Sequence, residues 1–167
     1  MITIRLFQEQ DWPAVWRVIM PVFREGATYP FSPDIEAHEA RSAWVDMPAA
    51  TFVAASETGN IVGTYYIKPN QPELGAHVCN CGYIVLNDSR EKGLGEAMCR
   101  HSQREAAALG FRAMQFNLVV STNSGAVRLW QRCGLEIVGT LPKAFKHKRL
   151  GFVDAYVMYR QLEPSDY

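Results

Sequence analysis

The chain changes from an apolar run to a helical pattern at Val85-Leu86-Asn87-Asp88-Ser89-Arg90-Glu91-Lys92-Gly93-Leu94-Gly95. Residues 78–86, which lead into this stretch, are mostly apolar and predict a strand. Beyond it, apolar residues recur at near-helical spacing up to Gly110, a residue typical of helix ends. The sequence therefore predicts a strand, a loop and a helix in that order, and the loop carries the motif Arg-x-x-Gly-x-Gly.

This motif has the properties of an anion site. Glycines at a helix start let a ligand approach the backbone, and the N–H groups of the first turn have no intrahelical acceptor. The helix dipole and the side chains of Arg90 and Lys92 add positive charge, which favours a diphosphate. A Gly-x-Gly alone is also compatible with an ordinary turn. A P-loop needs Gly-Lys-Ser/Thr, and a Rossmann fingerprint needs Gly where Met98 stands.

A second motif follows about thirty residues later, at Asn123-Ser124-Gly125-Ala126-Val127-Arg128-Leu129-Trp130-Gln131-Arg132-Cys133-Gly134-Leu135. In order and spacing, the two motifs together resemble the GNAT N-acetyltransferase superfamily. The resemblance implies an α/β (α+β) fold with a mixed central sheet of about six to seven strands and about four flanking helices. It also implies that acetyl-CoA is the acyl donor, with its pantetheine paired to the backbone near Ile84 and Val85. The other implied cofactor contacts are Arg90, Glu91, Lys92, Gly93, Leu94, Gly95, Asn123 and Trp130.

Composition favours one globular domain. The 167 residues include 48% hydrophobic and 20% charged side chains, enough for a core of its own over residues 1–162, with a loose tail at 163–167. A formal net charge of zero argues against a nucleic-acid partner. We expect no membrane segment, because no apolar run approaches roughly 20 residues, and a cytoplasmic location, because the N-terminus lacks a signal-peptide pattern.

The four cysteines do not form a disulfide-like framework. Cys79, Cys81, Cys99 and Cys133 fall within predicted strands and helices, so we expect reduced, buried thiols. Cys79 and Cys81 share one face of a strand, and no second Cys/His pair has ligand spacing, so we expect no metal site. A basic cluster, formed by Lys143, Lys146, His147, Lys148 and Arg149, either meets an anion or is a solvated loop beside the cofactor entrance, and the loop is the preferred interpretation.

The remaining elements follow from periodicity and turn signals. Apolar spacing predicts an amphipathic helix from Trp12 to Phe23, with Asp11 as its N-cap and Pro13 in the first turn. Residues 24–33, rich in Pro and Gly, predict an ordered loop, in which Thr28, Tyr29 and Phe31 either contact substrate or cover the core. The other predictions are strands at 1–5, 51–56, 61–68, 113–120, 135–141 and 152–160, a helix at about 34–47, and a short helix capped by residues 121–123.

Acetyl transfer to an amine proceeds through a tetrahedral intermediate that needs a hydrogen-bond donor for its oxygen. A strand N–H near Ile84 or Val85 can supply this oxyanion contact. Many relatives place a Tyr where Trp130 stands, as the acid for the leaving sulfur. An indole has no such proton, but a thiol pKa of about 8.5 makes a thiolate a tolerable leaving group.

No Asp or Glu lies on the central strand to act as a base. His77 stands at the start of that strand and is interpreted as a surface residue. Asn80 and Asn117 interrupt apolar strands, and they either satisfy the sheet between them or orient the substrate. A narrower resemblance, carried by the segments 63–70, 77–85 and 116–123, is to the proline-analogue (azetidine-carboxylate) branch. It implies catalytic and substrate roles for Asn80 and Asn117, with water removing the proton.

The resulting prediction is an acetyl-CoA-dependent N-acetyltransferase for a small-molecule amine, with a proline analogue or another amino acid as the first choice. The alternatives are an antibiotic, a polyamine or a peptide N-terminal amine as acceptor, and a non-catalytic acyl-CoA sensor. The predicted substrate contacts are Thr28, Tyr29, Asn80 and Asn117. The family resemblance also implies a homodimer.

Overall fold

The computed structural model describes residues 1–86 and 93–163. These residues form seven strands and four α-helices, with short 3₁₀ turns at Glu9–Asp11 and Glu73–Gly75. The elements in chain order are β1 (Thr3–Leu6), α1 (Trp12–Glu25), α2 (Ala37–Arg41), β2 (Ala50–Ala55), β3 (Ile61–Pro69), β4 (Val78–Val85), α3 (Leu94–Ala108), β5 (Ala113–Val120), α4 (Ser124–Arg132), β6 (Glu136–His147) and β7 (Gly151–Gln161).

The strands form one mixed sheet in the order β1-β2-β3-β4-β5-β7-β6. Every neighbouring pair is antiparallel except β4 and β5, which are parallel. The parallel register contains only Val78 with Ala113 and Cys79 with Met114 within the described residues, and beyond these pairs the strands separate. The architecture confirms the predicted mixed sheet with about four helices, and the separation opens a gap in its middle.

A hydrophobic core lies on each face of the sheet. One face packs against α1 and α2 around the fully buried Trp44. The other packs against α3 and α4 and contains all four cysteines, which are buried and free of disulfides, as predicted. Within the part of the chain that the structure describes, no three His, Cys, Asp or Glu side chains are grouped as metal ligands. No helix there is long and apolar enough to span a membrane.

Asp11 stands at the N-cap position of α1, as predicted, but its side chain makes no capping hydrogen bond to that helix. Its carboxylate accepts hydrogen bonds from the Arg5 guanidinium at 2.7 and 2.9 Å and from the N–H of Gln8 at 2.8 Å. The Arg5 hydrogen bond is the main reason that the pKa of Asp11 is lowered. The side chain therefore ties β1 to the turn before α1 and does not cap that helix. The helix ends at Gly26, whose φ of 61° is left-handed.

Two other predictions needed correction. The predicted helix at 34–47 is a short α-helix continued by a π-helical segment, Ser42–Asp46, so it begins later and is wound less regularly. Residues 143–147 are strand and not loop, because β6 runs to His147 and alternates buried with exposed residues at its end. The Lys and Arg side chains of the cluster are exposed, as predicted. Phe145 and His147 are buried, whereas Lys146 between them is exposed. Of the predicted tail, only Glu163 lies within the described residues.

Candidate active site

A cavity of about 930 Å³ opens where β4 and β5 separate. It brings together most of the residues that the sequence predicted for the site. The predicted residues that line it are Thr28, Tyr29, Asn80, Ile84, Val85, Gly93, Gly95, Asn117, Asn123 and Trp130. Leu94 is instead 3% exposed and packs into the core, so its side chain does not reach the cavity. Arg90, Glu91 and Lys92 lie outside the described residues.

Backbone alternation fixes which groups of β4 face the gap. The N–H of Leu86 donates to the carbonyl of Val62 at 2.9 Å, and the carbonyl of Val78 accepts from Asn70 at 2.8 Å. Even-numbered residues of β4 therefore turn their peptide groups toward β3. Ile84, paired with Thr64, is one of them. Its N–H cannot be the oxyanion donor, although its side chain lines the cavity.

The odd-numbered residues Cys81, Tyr83 and Val85 consequently face the gap. The side chain of Tyr29 already occupies the edge position of Tyr83, which lies between Cys81 and Val85. The N–H of Tyr83 donates to the Tyr29 hydroxyl at 2.7 Å, and that hydroxyl donates to the Tyr83 carbonyl at 2.8 Å. The groups of Cys81 and Val85 flank this bridge on the open edge. Of the two sequence candidates for the oxyanion contact, only Val85 has suitable geometry.

Tyr29 is thus held by the backbone of β4. Burial raises the pKa of its phenol well above the ordinary value, so the hydroxyl stays protonated. Its ring packs edge-on against Trp44 and is tilted against Phe23. The prediction that the residue lines the pocket agrees with the structure, but its hydroxyl is engaged by Tyr83. Thr28 is half-buried at the cavity wall.

The two predicted asparagines line the same cavity but have different partners. The Asn80 amide donates to the carbonyl of Gln115 at 3.0 Å, just past the last β4–β5 register pair. It therefore bridges the strands where their ladder stops. Asn117 is exposed and donates to the side-chain oxygen of Asn70 at 2.6 Å. Sequence analysis did not assign Asn70 a role, although its segment belongs to the narrower resemblance.

Aromatic rings form one wall of the cavity. Trp130 lies 4.9 Å from the ring of Tyr83 and 5.1 Å from that of Phe116, measured between centroids. The Tyr83 hydroxyl points away into the core, where it lies 2.6 Å from the Ser102 hydroxyl, and burial raises its pKa. Neither Trp130 nor Tyr83 is therefore placed as an acid for a leaving thiolate.

The two glycines of the first motif are required for different structural reasons. Gly93 has a φ of 70°, and a Cβ there would meet no atom of the described residues within 4 Å, which leaves its backbone accessible from their side. At Gly95 a Cβ would lie 3.0 Å from Leu129 of α4, so this glycine lets the two helices pack closely. Asn123 caps α4 as predicted, accepting from the N–H of Ala126 at 3.3 Å.

Nothing in the sequence indicated Glu25 or Lys68 at the cavity, and His147 and Arg149 were predicted only as part of a basic cluster near the cofactor entrance. Glu25 lines the cavity from the end of α1, Lys68 from β3, and His147 and Arg149 from the β6–β7 hairpin. The Lys68 amine lies 5.2 Å above the ring of Tyr66. The alternation of the sequence Phe145-Lys146-His147-Lys148 has the period of a strand, and this pattern could have placed His147 on one. His77 is exposed and does not line the cavity, which supports its interpretation as a surface residue.

Comparison with known proteins gives one consistent result. The sequence model of the Acetyltransferase (GNAT) family matches residues 12–135. N-acetyltransferase aca1 of Schizosaccharomyces pombe is 37% identical over 107 residues, which are 64% of this chain and only 51% of that protein. L-amino acid N-acetyltransferase AaaT of Escherichia coli is 26% identical over 162 residues, 95% of this chain and 97% of that one. A GCN5-related N-acetyltransferase from Kribbella flavida superposes with a TM-score of 0.90 at 38% identity, covering 96% and 98% of the two chains.

Proposed function

The chain belongs to the GNAT family of acetyltransferases, and from that premise we propose that it transfers the acetyl group of acetyl-CoA to the amine of a small molecule. The observation that carries the proposal is the open edge of β4. Past Cys79 this edge has no strand partner among the described residues, and it borders the cavity. An unpaired strand edge suits an extended ligand that carries amide groups.

The residues present fit acetyl-CoA, which supplies an activated acetyl thioester when it binds. The carbonyl of Val85 would help to hold the pantetheine arm along the open edge, which leaves the Val85 N–H for the acyl oxygen. Gly93 leaves the start of α3 uncovered for the diphosphate, where the helix N-terminus favours negative charge. The contributions of Arg90, Glu91 and Lys92 to this end of the ligand remain predictions.

In the proposed reaction the protein positions the amine and stabilises the negative charge on the acyl oxygen. The N–H of Val85 would stabilise negative charge that develops on the acyl oxygen. Trp130, Tyr83 and Phe116 form a rigid apolar wall that limits access of water. An amide cannot act as a strong base, so Asn80 and Asn117 would orient the amine while water removes its proton.

The acceptor we propose is an amino acid, with azetidine-carboxylate and related proline analogues as the first candidates. Asn80 and Asn117 line the cavity with amide groups, and Asn70 accepts a hydrogen bond from Asn117. Lys68 and Arg149 add positive charge suited to a carboxylate. The name of AaaT, an L-amino acid N-acetyltransferase, supports this substrate class.

A thiol-release assay with acetyl-CoA tests the proposal. The acceptors are azetidine-carboxylate, proline, other amino acids, a polyamine and a short peptide, and mass spectrometry identifies the acetylated product. We expect release with at least one free amino acid. Tight binding of acetyl-CoA without release on any amine would contradict the enzyme assignment. That result would favour an acyl-CoA sensor, an alternative suggested by Trp130 at the position of the usual acid.

Release with only the polyamine or the peptide would contradict the amino-acid assignment. An Asn117→Ala variant is a suitable companion, because Asn117 is exposed and its loss leaves the core intact. An unchanged kcat/KM of this variant with every accepted amine would remove Asn117 from the site.

A further inference from the structure

His147, at the end of β6, has an unusual hydrogen-bonding environment for a cavity residue. The residue is buried, with only 6% of its surface exposed. The nitrogen Nδ1 accepts the N–H of Arg149 at 3.1 Å and the N–H of Leu150 at 3.2 Å. An imidazole nitrogen that accepts hydrogen bonds carries no proton, so the proton of the neutral ring lies on Nε2.

His147 lines the cavity, and its other ring nitrogen, Nε2, is not used by the hairpin. Within residues 1–86 and 93–163, no group forms a hydrogen bond with Nε2 of His147. In the same part of the chain, every fully buried side-chain nitrogen or oxygen has a partner. Nε2 therefore retains accessible surface, and His147 is one of the residues that line the cavity. The structure thus holds a fixed, unpartnered N–H donor at the cavity wall.

The position of the β6–β7 hairpin shows which end of the cavity this donor serves. The N–H of Lys148 donates to the carbonyl of Gly26 at 3.0 Å, and the Lys148 amine donates to the carbonyl of Arg24 at 3.2 Å. The hairpin is therefore docked on the segment after α1 that carries Thr28 and Tyr29. This is the α1 side of the sheet, which also presents Tyr66 and Ile84, whereas α3 and α4 cover the opposite face.

Charge on this side favours an anionic partner for the donor. Lys68 and Arg149 contribute two positive charges to the cavity, and Glu25 contributes one negative charge. A base role is incompatible with the hydrogen bonding, because Nδ1 is occupied by the hairpin and Nε2 carries the proton. The ring can donate a hydrogen bond but has no free lone pair to take a proton from an amine.

We propose that His147 is a specificity-determining residue that donates its Nε2–H to a carboxylate of the acceptor amine. This inference rests on the proposed function and names a group of the acceptor that the site would select. The hairpin fixes the tautomer through Nδ1, so the donor is set before the acceptor arrives. Preorganisation of this kind reduces the entropy lost on binding.

Two substitutions distinguish the Nε2–H donor from the hydrogen bonds that Nδ1 accepts from the hairpin. In His147→Asn, the amide oxygen can replace Nδ1 as acceptor of the Arg149 N–H, but the side chain is too short to present a donor at the position of Nε2. In His147→Gln, the amide nitrogen can reach the position of Nε2, but the Nδ1 acceptor is lost. The acceptors are azetidine-2-carboxylate and its uncharged carboxamide, and thermal melting is measured alongside.

For His147→Asn we expect the KM for azetidine-2-carboxylate to rise by about 10-fold or more, since a hydrogen bond to a charged group contributes about 1.5–3 kcal/mol. The KM for acetyl-CoA and the KM for the carboxamide should each change less than about twofold. His147→Gln should retain a KM for azetidine-2-carboxylate within about threefold of the wild type but melt at a lower temperature.

The reverse pattern would overturn the inference. If His147→Asn has a wild-type KM for the carboxylate while His147→Gln loses both stability and activity, the ring serves only the hairpin. Equal effects of His147→Asn on the carboxylate and on the carboxamide would also contradict recognition of the anion. Absence of thiol release by the wild type with every acceptor would instead overturn the proposed function, and this inference with it.

Discussion

Replacing Tyr29 with Phe removes a single oxygen atom that forms two hydrogen bonds to the same residue of β4. Those bonds, 2.7 Å from the N–H of Tyr83 and 2.8 Å to its carbonyl, hold the loop after α1 against the open edge of the sheet. A typical hydrogen bond contributes about 1 kcal/mol net, and a buried group left without a partner costs about 1–3 kcal/mol. We therefore expect the free energy of unfolding to fall by about 2 kcal/mol.

For a chain of this length, 1 kcal/mol corresponds to roughly 2–4 °C in Tm, so the Tm of Tyr29→Phe should fall by roughly 4–8 °C. Thermal melts and urea titrations, both followed by circular dichroism, measure the loss. Tyr66→Phe is a matched control in the same cavity, because the Tyr66 hydroxyl makes only a 3.5 Å contact with Asn80. A Tm loss for Tyr29→Phe no larger than that of the control would refute the view that this bridge stabilises the fold.

Three further outcomes are expected. Gly93→Ala should lower the Tm by roughly 2–4 °C, since a left-handed φ costs a side chain about 1 kcal/mol. Calorimetry of acetyl-CoA binding to this variant shows whether the start of α3 must lack a side chain. Asn117→Ala should raise the KM for the acceptor with little change in Tm, and loss of its partner in Asn70→Ala should do the same. Burial lowers the pKa of His101 below its ordinary value near 6.5, so the unfolded chain binds more protons and stability should fall as the pH drops through and below that value. Urea unfolding measured on either side of that pH should show that the free energy of unfolding depends less on pH in His101→Asn, whose amide can still hydrogen-bond with the Tyr65 hydroxyl.

Regular elements could be predicted from the sequence because their signals are local. The strand predicted at 78–86 is β4, the strand predicted at 113–120 coincides with β5, and Asn123 caps α4 as expected. In each case the deciding pattern lies within a few residues. The cavity itself was also predictable in outline, because the resemblance placed Asn80, Asn117 and Val85 near one site.

Contacts between distant parts of the chain were not predictable in this way. Tyr29 and Tyr83 are 54 positions apart, and nothing in either segment indicates that a hydroxyl bridges a strand edge. The direction of the Ile84 N–H depends on which neighbour β4 pairs with, which periodicity does not specify. Asp11 had the sequence context of an N-cap, but the fold placed Arg5 beside it. His147 looked like part of a charged loop because the hairpin that buries it forms only with β7.

The short pairing between β4 and β5, called the seam below, has a consequence for the stability of the protein. Two register pairs are all the strand pairing that joins the two halves of the sheet within the described residues. On the proposed function, acetyl-CoA would bind along this seam in the folded chain and not in the unfolded one. A hundredfold excess over its Kd would then add about 2.7 kcal/mol to the free energy of unfolding. Resistance to heat and to proteases would then rise with the concentration of the acetyl donor.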